Sequence, residues 1–110
     1  MTEPFKTEFI DTETAKNWID SGEAVVVDVR EAQEYSTARI DGAVLIPLSA
    51  FDPTSVPAHD GKKLLFHCAS GIRCGMAAEK MGNAGHEGTI YRLQGGIQAW
   101  HQAGHPLLFG

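Results

Sequence analysis

The residue types best suited to covalent chemistry in this chain lie in the six-residue stretch CASGIR, from Cys68 to Arg73. The run just before it, KLLFH at residues 63–67, is apolar and free of glycine and proline, which predicts a short buried strand. The stretch from Cys74 to Ala84 is rich in helix formers and is followed by Gly85, which predicts a helix. Cys68 is therefore expected where a strand ends and a helix begins.

This position favours a reactive sulfur. Ligands of open α/β sheets bind at the edge where the strands end. A ring of backbone N–H groups and a helix N-terminus both favour thiolate over thiol, and the thiolate is the nucleophile, so Cys68 is predicted to be catalytic. Gly71 permits a turn in which successive N–H groups converge, and Arg73 offers paired donors suited to an oxyanion. The competing interpretation makes Cys68 an inert core residue and Arg73 part of a surface ion pair.

The two sequence neighbours of this stretch are less informative. Cys74 has two interpretations: a resolving thiol that forms a disulfide with Cys68 under oxidation, or a half-buried thiol in the first helical turn, which we favour. His67 precedes the nucleophile, but neighbouring side chains of a strand point to opposite faces. We therefore expect His67 to point away from the sulfur and to pack in the core.

A second polar pair, Asp28 and Arg30, follows a valine-rich strand and is expected at the same sheet edge as Cys68. These side chains either contact substrate or support the site from behind. In the structural alternative, which we favour, Arg30 pairs with Glu34 or Glu31 and Asp28 braces a loop backbone.

Composition limits the function classes. The 110 residues predict one domain, 1–110, with an ordinary apolar content of 43%. A formal net charge of −5 argues against nucleic acid and anionic membrane surfaces as partners. The N-terminal residues have no apolar core typical of a signal peptide. With two cysteines, neither a disulfide framework nor a structural zinc site is expected, and a cytoplasmic location is the default.

Strand-like and helix-like segments alternate along the chain, which predicts an α/β fold with a mainly parallel sheet. The predicted strands are 6–10, 24–29, 43–46, 63–67 and 89–93. The predicted helical segments are 12–20, 31–35, 74–84 and a final helix that starts at Gly95-Gly96. The stretch 48–61 contains Pro53 and Pro57 and is expected to be a loop with a turn of helix.

Three ordered motifs resemble the rhodanese (sulfurtransferase) homology domain, and the resemblance covers nearly the whole chain. They are VDVRE (27–31) with Glu34-Tyr35, IDGA (40–43) and IPL (46–48); CxxGxR (68–73); and LQGGIQAW (93–100) with Ala103-Gly104 and Pro106-Leu107. Two departures stand out. Members of that family often carry GHIPGA where this chain has ARIDGA (38–43), and Ser or Thr where it has Cys74.

The resemblance implies a five-stranded parallel sheet with helices on both faces. It also implies that Cys68 accepts a sulfane sulfur as a persulfide, inside a ring contributed by the substrate-binding loop residues Ala69, Ser70, Gly71, Ile72 and Arg73. The implied enzyme is a thiosulfate sulfurtransferase. The sequence has no recognisable cofactor-binding motif, so no metal or organic cofactor is expected. Its donor is a small sulfur-containing anion or a persulfide, and its acceptor is cyanide, a thiol or a thioredoxin-like protein.

Three other functions remain open at this point. The domain could act as a protein-bound sulfur relay, which an apolar rim around Ile72 would support. It could be a phosphatase or arsenate reductase, but the loops of those enzymes resemble Cys-x5-Arg, one residue longer than the loop from Cys68 to Arg73. It could also be a catalytically silent interaction module, against which the intact cysteine, glycine and arginine argue.

Overall fold

The computed structural model describes residues 4–110. The strands are β1 (Lys6–Ile10), β2 (Ala24–Asp28), β3 (Ala38–Arg39), β4 (Val44–Leu45), β5 (Lys63–His67), β6 (Thr89–Leu93) and β7 (Leu108–Phe109). The helices are α1 (Thr12–Asp20), α2 (Ala32–Thr37), α3 (Arg73–Asn83) and α4 (Gly96–Gln102), with 3-10 turns at Leu48–Ala50 and Pro53–Ser55. The alternation of strands and helices confirms the predicted α/β class.

Five strands form one parallel sheet in the order β1-β6-β5-β2-β4. At its centre β5 pairs with β2 on one side, with His67 opposite Asp28, and with β6 on the other, with Phe66 opposite Arg92. Because parallel strands share a direction, the segments that follow β2, β5 and β6 emerge at the same edge. Cys68 is the first residue after β5, so this topology places it at the edge centre.

Helices cover both faces of the sheet, as the resemblance implies, and each face has its own apolar core. On one face Phe66 and Ile90 pack with the buried side of α3, including Ala77. On the other face Leu65 and Leu93 pack with Trp100 of α4 and with α1. Consecutive residues of β5 therefore serve opposite cores, which explains why its sequence is continuously apolar.

Most predicted boundaries agree with the structure to within one or two residues. Asp11 caps α1, its carboxylate accepting the Thr14 N–H at 2.8 Å. The strand predicted at 24–29 ends at Asp28, and the strand predicted at 43–46 is reduced to Val44–Leu45.

The second sheet was not predicted. It is a two-stranded antiparallel pair in which Ala38 lies opposite Phe109 and Arg39 lies opposite Leu108. Each strand has two residues, too few to show an alternating pattern, and its partner lies far away in sequence.

None of the helices within residues 4–110 is both long enough and apolar enough to cross a membrane.

Candidate functional site

Cys68 lies at the bottom of a turn that begins where β5 ends. The residue is 1% exposed, and its sulfur accepts the N–H of Gly71 at 3.1 Å. Gly71 is buried and has a φ of +107°, which residues other than glycine rarely adopt. The predicted turn at this glycine is therefore confirmed. The chain then enters α3 at Arg73, one residue earlier than predicted.

Backbone amides and a neighbouring thiol lower the pKa of Cys68 to about 5. The largest cause is a hydrogen bond from the side chain of Cys74, and the N–H groups of Cys74, Gly71 and Ser70 add to it, whereas burial opposes the effect. Cys68 is therefore a thiolate at neutral pH, which is the nucleophilic form.

Cys74 is fully buried and remains a thiol. Its hydrogen bond to Cys68 and its burial raise its pKa well above the ordinary value. The Cys74 thiol donates to the carbonyl oxygen of Gly71 at 3.3 Å, and the Cys74 side chain is also the largest cause of the lowered pKa of Cys68. Cys74 thus favours the thiolate form of Cys68, an effect that the sequence interpretations did not include. Cys68 and Cys74 are not joined by a disulfide in the structure.

Arg73 is engaged by a carboxylate 39 residues earlier in the chain. Its two terminal nitrogens donate to the two carboxylate oxygens of Glu34 at 2.7 and 2.9 Å. This pair, with a further N–H bond from Glu31, lowers the pKa of Glu34 to about 2. The ion pair of the competing interpretation is therefore present, and it ties the start of α3 to α2; the predicted role of Arg73 in substrate binding stays a prediction.

The predicted pairing of Arg30 with a glutamate carboxylate is wrong. Arg30 donates from Nε and Nη2 to the carboxylate of Asp28 at 2.7–3.1 Å, and from Nη2 to the Ala38 carbonyl at 2.6 Å. It reaches only the backbone oxygen of Glu34, at 3.5 Å, because Arg73 occupies that carboxylate. Asp28 also accepts the Arg30 N–H at 2.9 Å, so its predicted role as a backbone brace is confirmed.

His67 is fully buried, and its Nε2 lies 3.6 Å from Oδ2 of Asp28. Burial lowers its pKa, which keeps the ring neutral at pH 7. The ring therefore packs against the Asp28–Arg30 pair, as expected for a core histidine.

Two contributions to the loop come from outside it. The first N–H groups of α4, those of Ile97 and Gln98, donate to the carbonyls of Cys68 at 2.9 Å and Ala69 at 3.2 Å. Gly96 makes this approach possible, since a Cβ there would lie 2.5 Å from both carbonyl oxygens. The Gly95-Gly96 pair was correctly expected as a tight turn near this edge.

The second outside contribution is Arg92 of β6, whose Nη2 donates to the Gly71 carbonyl at 2.7 Å. No pattern in the sequence marks Arg92, because it lies inside a predicted strand 21 residues from its partner.

Exposed apolar side chains flank the turn. Ile72 at its tip is 72% exposed, Met76 one helical turn later is 52% exposed, and Phe9 of β1 is 50% exposed. Phe9 also lies close to Gly71, since a Cβ added to this glycine would lie 3.7 Å from the phenyl ring. We call Phe9, Ile72 and Met76 the apolar rim.

Among residues 4–110 no three His, Cys, Asp or Glu side chains are grouped as a metal site would require.

Most of the chain matches a known domain family. The rhodanese-like domain family matches residues 11–103. An uncharacterised protein of Synechocystis is 42% identical over 84 residues, which are 76% of this chain and 46% of that protein. A tRNA uridine(34) hydroxylase of Erwinia tasmaniensis is 36% identical over 72% of this chain and 24% of its own length. A probable adenylyltransferase/sulfurtransferase of Mycobacterium tuberculosis is 33% identical over 83% of this chain and 24% of its own length.

The chain thus spans less than half the length of these curated relatives.

Solved structures agree on the fold. A rhodanese-related protein from Thermoplasma volcanium superposes with a TM-score of 0.79 at 28% identity, covering 94% of this chain and 99% of that one. A thiosulfate sulfurtransferase from Pseudomonas aeruginosa gives a TM-score of 0.77 at 25% identity, over 94% of this chain and 20% of the other.

Proposed function

The chain belongs to the rhodanese-like domain family, and we propose that it is a sulfurtransferase whose sulfur carrier is Cys68. The observation that carries the proposal is the thiolate at the end of β5, held by the Gly71 N–H and by the Cys74 thiol, with a pKa of about 5. A covalent carrier must be both a nucleophile and a leaving group, and a thiolate of low pKa serves as both.

In the first step the Cys68 thiolate attacks the sulfane sulfur of the donor. With thiosulfate, the S–S bond of the donor breaks, sulfite leaves with its electron pair, and a new S–S bond makes a Cys68 persulfide. The persulfide is also anionic, so the same donors stabilise it. Its outer sulfur stands about 2 Å beyond the buried Sγ.

In the second step an acceptor nucleophile attacks that outer sulfur. Cyanide gives thiocyanate and a thiolate gives a new persulfide, and in both cases the electron pair of the breaking bond returns to Cys68. The Cys74 thiol and the Gly71 N–H favour this departure because both hydrogen-bond the sulfur as it regains its charge.

The charge of the turn bears on the choice of donor. A dianion such as thiosulfate would need a cation within residues 68–73, yet the cation there, Arg73, is already paired with Glu34. Ala69, Ser70 and Ile72 are neutral. We therefore propose that thiosulfate is accepted through the ring of amides and that a persulfide donor of lower charge is used at least as well.

The test is intact mass before and after incubation with thiosulfate or glutathione persulfide, on the wild type, Cys68→Ser and Cys74→Ser. We expect the wild type and Cys74→Ser to gain one sulfur atom that cyanide removes, and Cys68→Ser to gain none. If neither donor loads a wild-type protein whose Cys68 is a free thiol, the sulfurtransferase proposal fails.

The apolar rim favours a second candidate function, a sulfur relay between proteins. Exposed apolar side chains are typical of contact surfaces. Phe9 and Ile72 lie at the turn that carries Cys68, and Met76 follows Ile72 by four residues in the chain. In this case a loaded protein would pass sulfur to a reduced thioredoxin-like acceptor, and Ile72→Lys would slow that transfer but not transfer to dithiothreitol. Equal slowing of both transfers would contradict the relay.

Phosphoryl transfer is not favoured, because Arg73 is held by Glu34 and the turn is one residue shorter than a Cys-x5-Arg loop. Hydrolysis of p-nitrophenyl phosphate by a protein that no sulfur donor loads would reverse this order. We propose a cytoplasmic setting for the reaction, since Cys68 must stay reduced to work.

A further inference from the structure

The side chain of Arg92 packs against the turn, between the residues that neighbour it in β1 and α3. Its guanidinium stacks over the ring of Phe9 at 4.1 Å from the ring centre, a cation–π contact. On α3, Gly75 leaves the space that the guanidinium needs, because a Cβ there would lie 2.6 Å from Nη2. Among residues 4–110 the buried Nε has no hydrogen-bond partner, so packing removes part of the side chain from water without replacing that hydrogen bond.

Its hydrogen bond to the turn is to the carbonyl oxygen of Gly71, at 2.7 Å, and the guanidinium also acts on the neighbouring Cys74 thiol, whose pKa it lowers against the opposing effects of Cys68 and burial. A hydrogen bond from a charged donor is stronger than one between neutral groups. Arg30 and Arg73 have carboxylate partners, whereas Arg92 makes no salt bridge in the part of the chain that the structure describes. Its charge is therefore not neutralised by a neighbouring carboxylate.

The Gly71 residue is held from both ends. Its N–H donates to the Cys68 sulfur at 3.1 Å, and its carbonyl accepts from Arg92. Glycine has little intrinsic preference among backbone conformations, so these contacts, rather than the residue itself, maintain the direction of the N–H.

Arg92 also bears on the proton of Cys74. In the structure this thiol donates to the Gly71 carbonyl at 3.3 Å, and the Cys74 side chain is also the largest cause of the lowered pKa of Cys68. Because a charged donor already withdraws electron density from the carbonyl, the thiolate becomes the better acceptor for the Cys74 proton. Removing Arg92 would restore the carbonyl as a competitor.

We propose that Arg92 is a positioning residue for the nucleophile, which fixes the Gly71 peptide groups and thereby directs the Gly71 N–H and the Cys74 S–H toward the Cys68 sulfur. The proposal rests on Cys68 as the nucleophile of the proposed function. Its test needs no sulfur donor, so failure of sulfur transfer and failure of this inference are separate results.

The test is the pH dependence of Cys68 alkylation by iodoacetamide, followed on the Cys68 peptide by mass spectrometry. We expect Arg92→Met to raise the midpoint by about one pH unit, leaving about tenfold less thiolate well below the midpoint. Arg92→Lys should recover part of the difference, because lysine keeps the charge but not the planar donor. The matched control is Arg39→Met, since Arg39 also lies over an aromatic ring, that of Tyr35, but makes no hydrogen bond to the turn.

Gly75→Ala tests the same contact while keeping the arginine. Its methyl group would displace the flexible end of Arg92, so we expect a smaller upward move of the midpoint in the wild type and none in the Arg92→Met background. Wild-type midpoints in both Arg92→Met and Gly75→Ala, or an equal move in Arg39→Met, would overturn the proposal. A Gly75→Ala effect of the same size in the Arg92→Met background would also overturn the proposal. If Arg92→Met fails to fold, the same comparison is made in the Arg92→Lys background.

Discussion

Cys74→Ala gives the sharpest test of how this protein activates Cys68. The pKa of Cys68 is about 5, about four pH units below the ordinary 9.0, and the Cys74 side chain is the largest cause. A hydrogen bond to a charged group is worth about 1.5–3 kcal/mol. At 1.36 kcal/mol per pH unit, losing it should raise the pKa by about one to two units, to about 6 or 7.

The assay is the pH profile of Cys68 alkylation, with the midpoint as the measured quantity. Midpoints are compared rather than rates, because a thiolate of higher pKa is also intrinsically more nucleophilic. At pH 6 the thiolate fraction should fall from about nine-tenths in the wild type to between about one-half and one-tenth in the variant. Cys74 itself does not interfere, since its raised pKa keeps it protonated throughout this range.

Cys74→Ser is the matched control, since the hydroxyl has nearly the size of the thiol and can still donate. We expect its midpoint to stay closer to that of the wild type than to that of Cys74→Ala. Two results would refute the reasoning: a Cys74→Ala midpoint that remains near 5, which would assign the effect to the backbone amides, or a serine variant as perturbed as the alanine variant.

Three further predictions concern stability, measured by urea unfolding. Relative to Cys68→Ala, the wild type should gain free energy of unfolding as the pH rises from about 5 toward 9, because the folded state lowers the pKa of this thiol and so favours its ionised form; parallel pH dependences would contradict this. Glu34→Gln should cost about 0.5–1 kcal/mol at pH 7, because its pair with Arg73 is partly exposed. This cost should disappear between pH 4.5 and about 2 as the carboxylate protonates; a cost that persists at pH 2 would show that the charge is not its source. Gly96→Ala should cost more than about 2 kcal/mol, since its Cβ meets loop backbone, whereas Gly104→Ala, with positive φ but open space, should cost about 1–2 kcal/mol; equal costs would contradict the clash.

Local signals in the sequence were sufficient to predict the order of the helices and of the strands in the five-stranded sheet. The apolar runs at β2 and β5, the alternation of strands and helices, and the glycines after α1 and α3 predicted a parallel sheet with Cys68 at its edge. These features depend on residues close together in the chain, so a single sequence shows them. The two-residue strands of the second sheet were not predicted, because each forms its hydrogen bonds with a strand distant in sequence.

The sequence also determined which residue is the candidate nucleophile and that Gly71 must turn the chain beside it, because both follow from residue type and from the strand-to-helix junction. Only the tertiary structure decided which charges meet. Arg73 pairs with Glu34, Arg30 pairs with Asp28, and Arg92 donates to the Gly71 carbonyl. The physical reason is that an arginine reaches many carboxylates and carbonyls in principle, and the packing of strands and helices far apart in sequence determines which of them lies within hydrogen-bond distance.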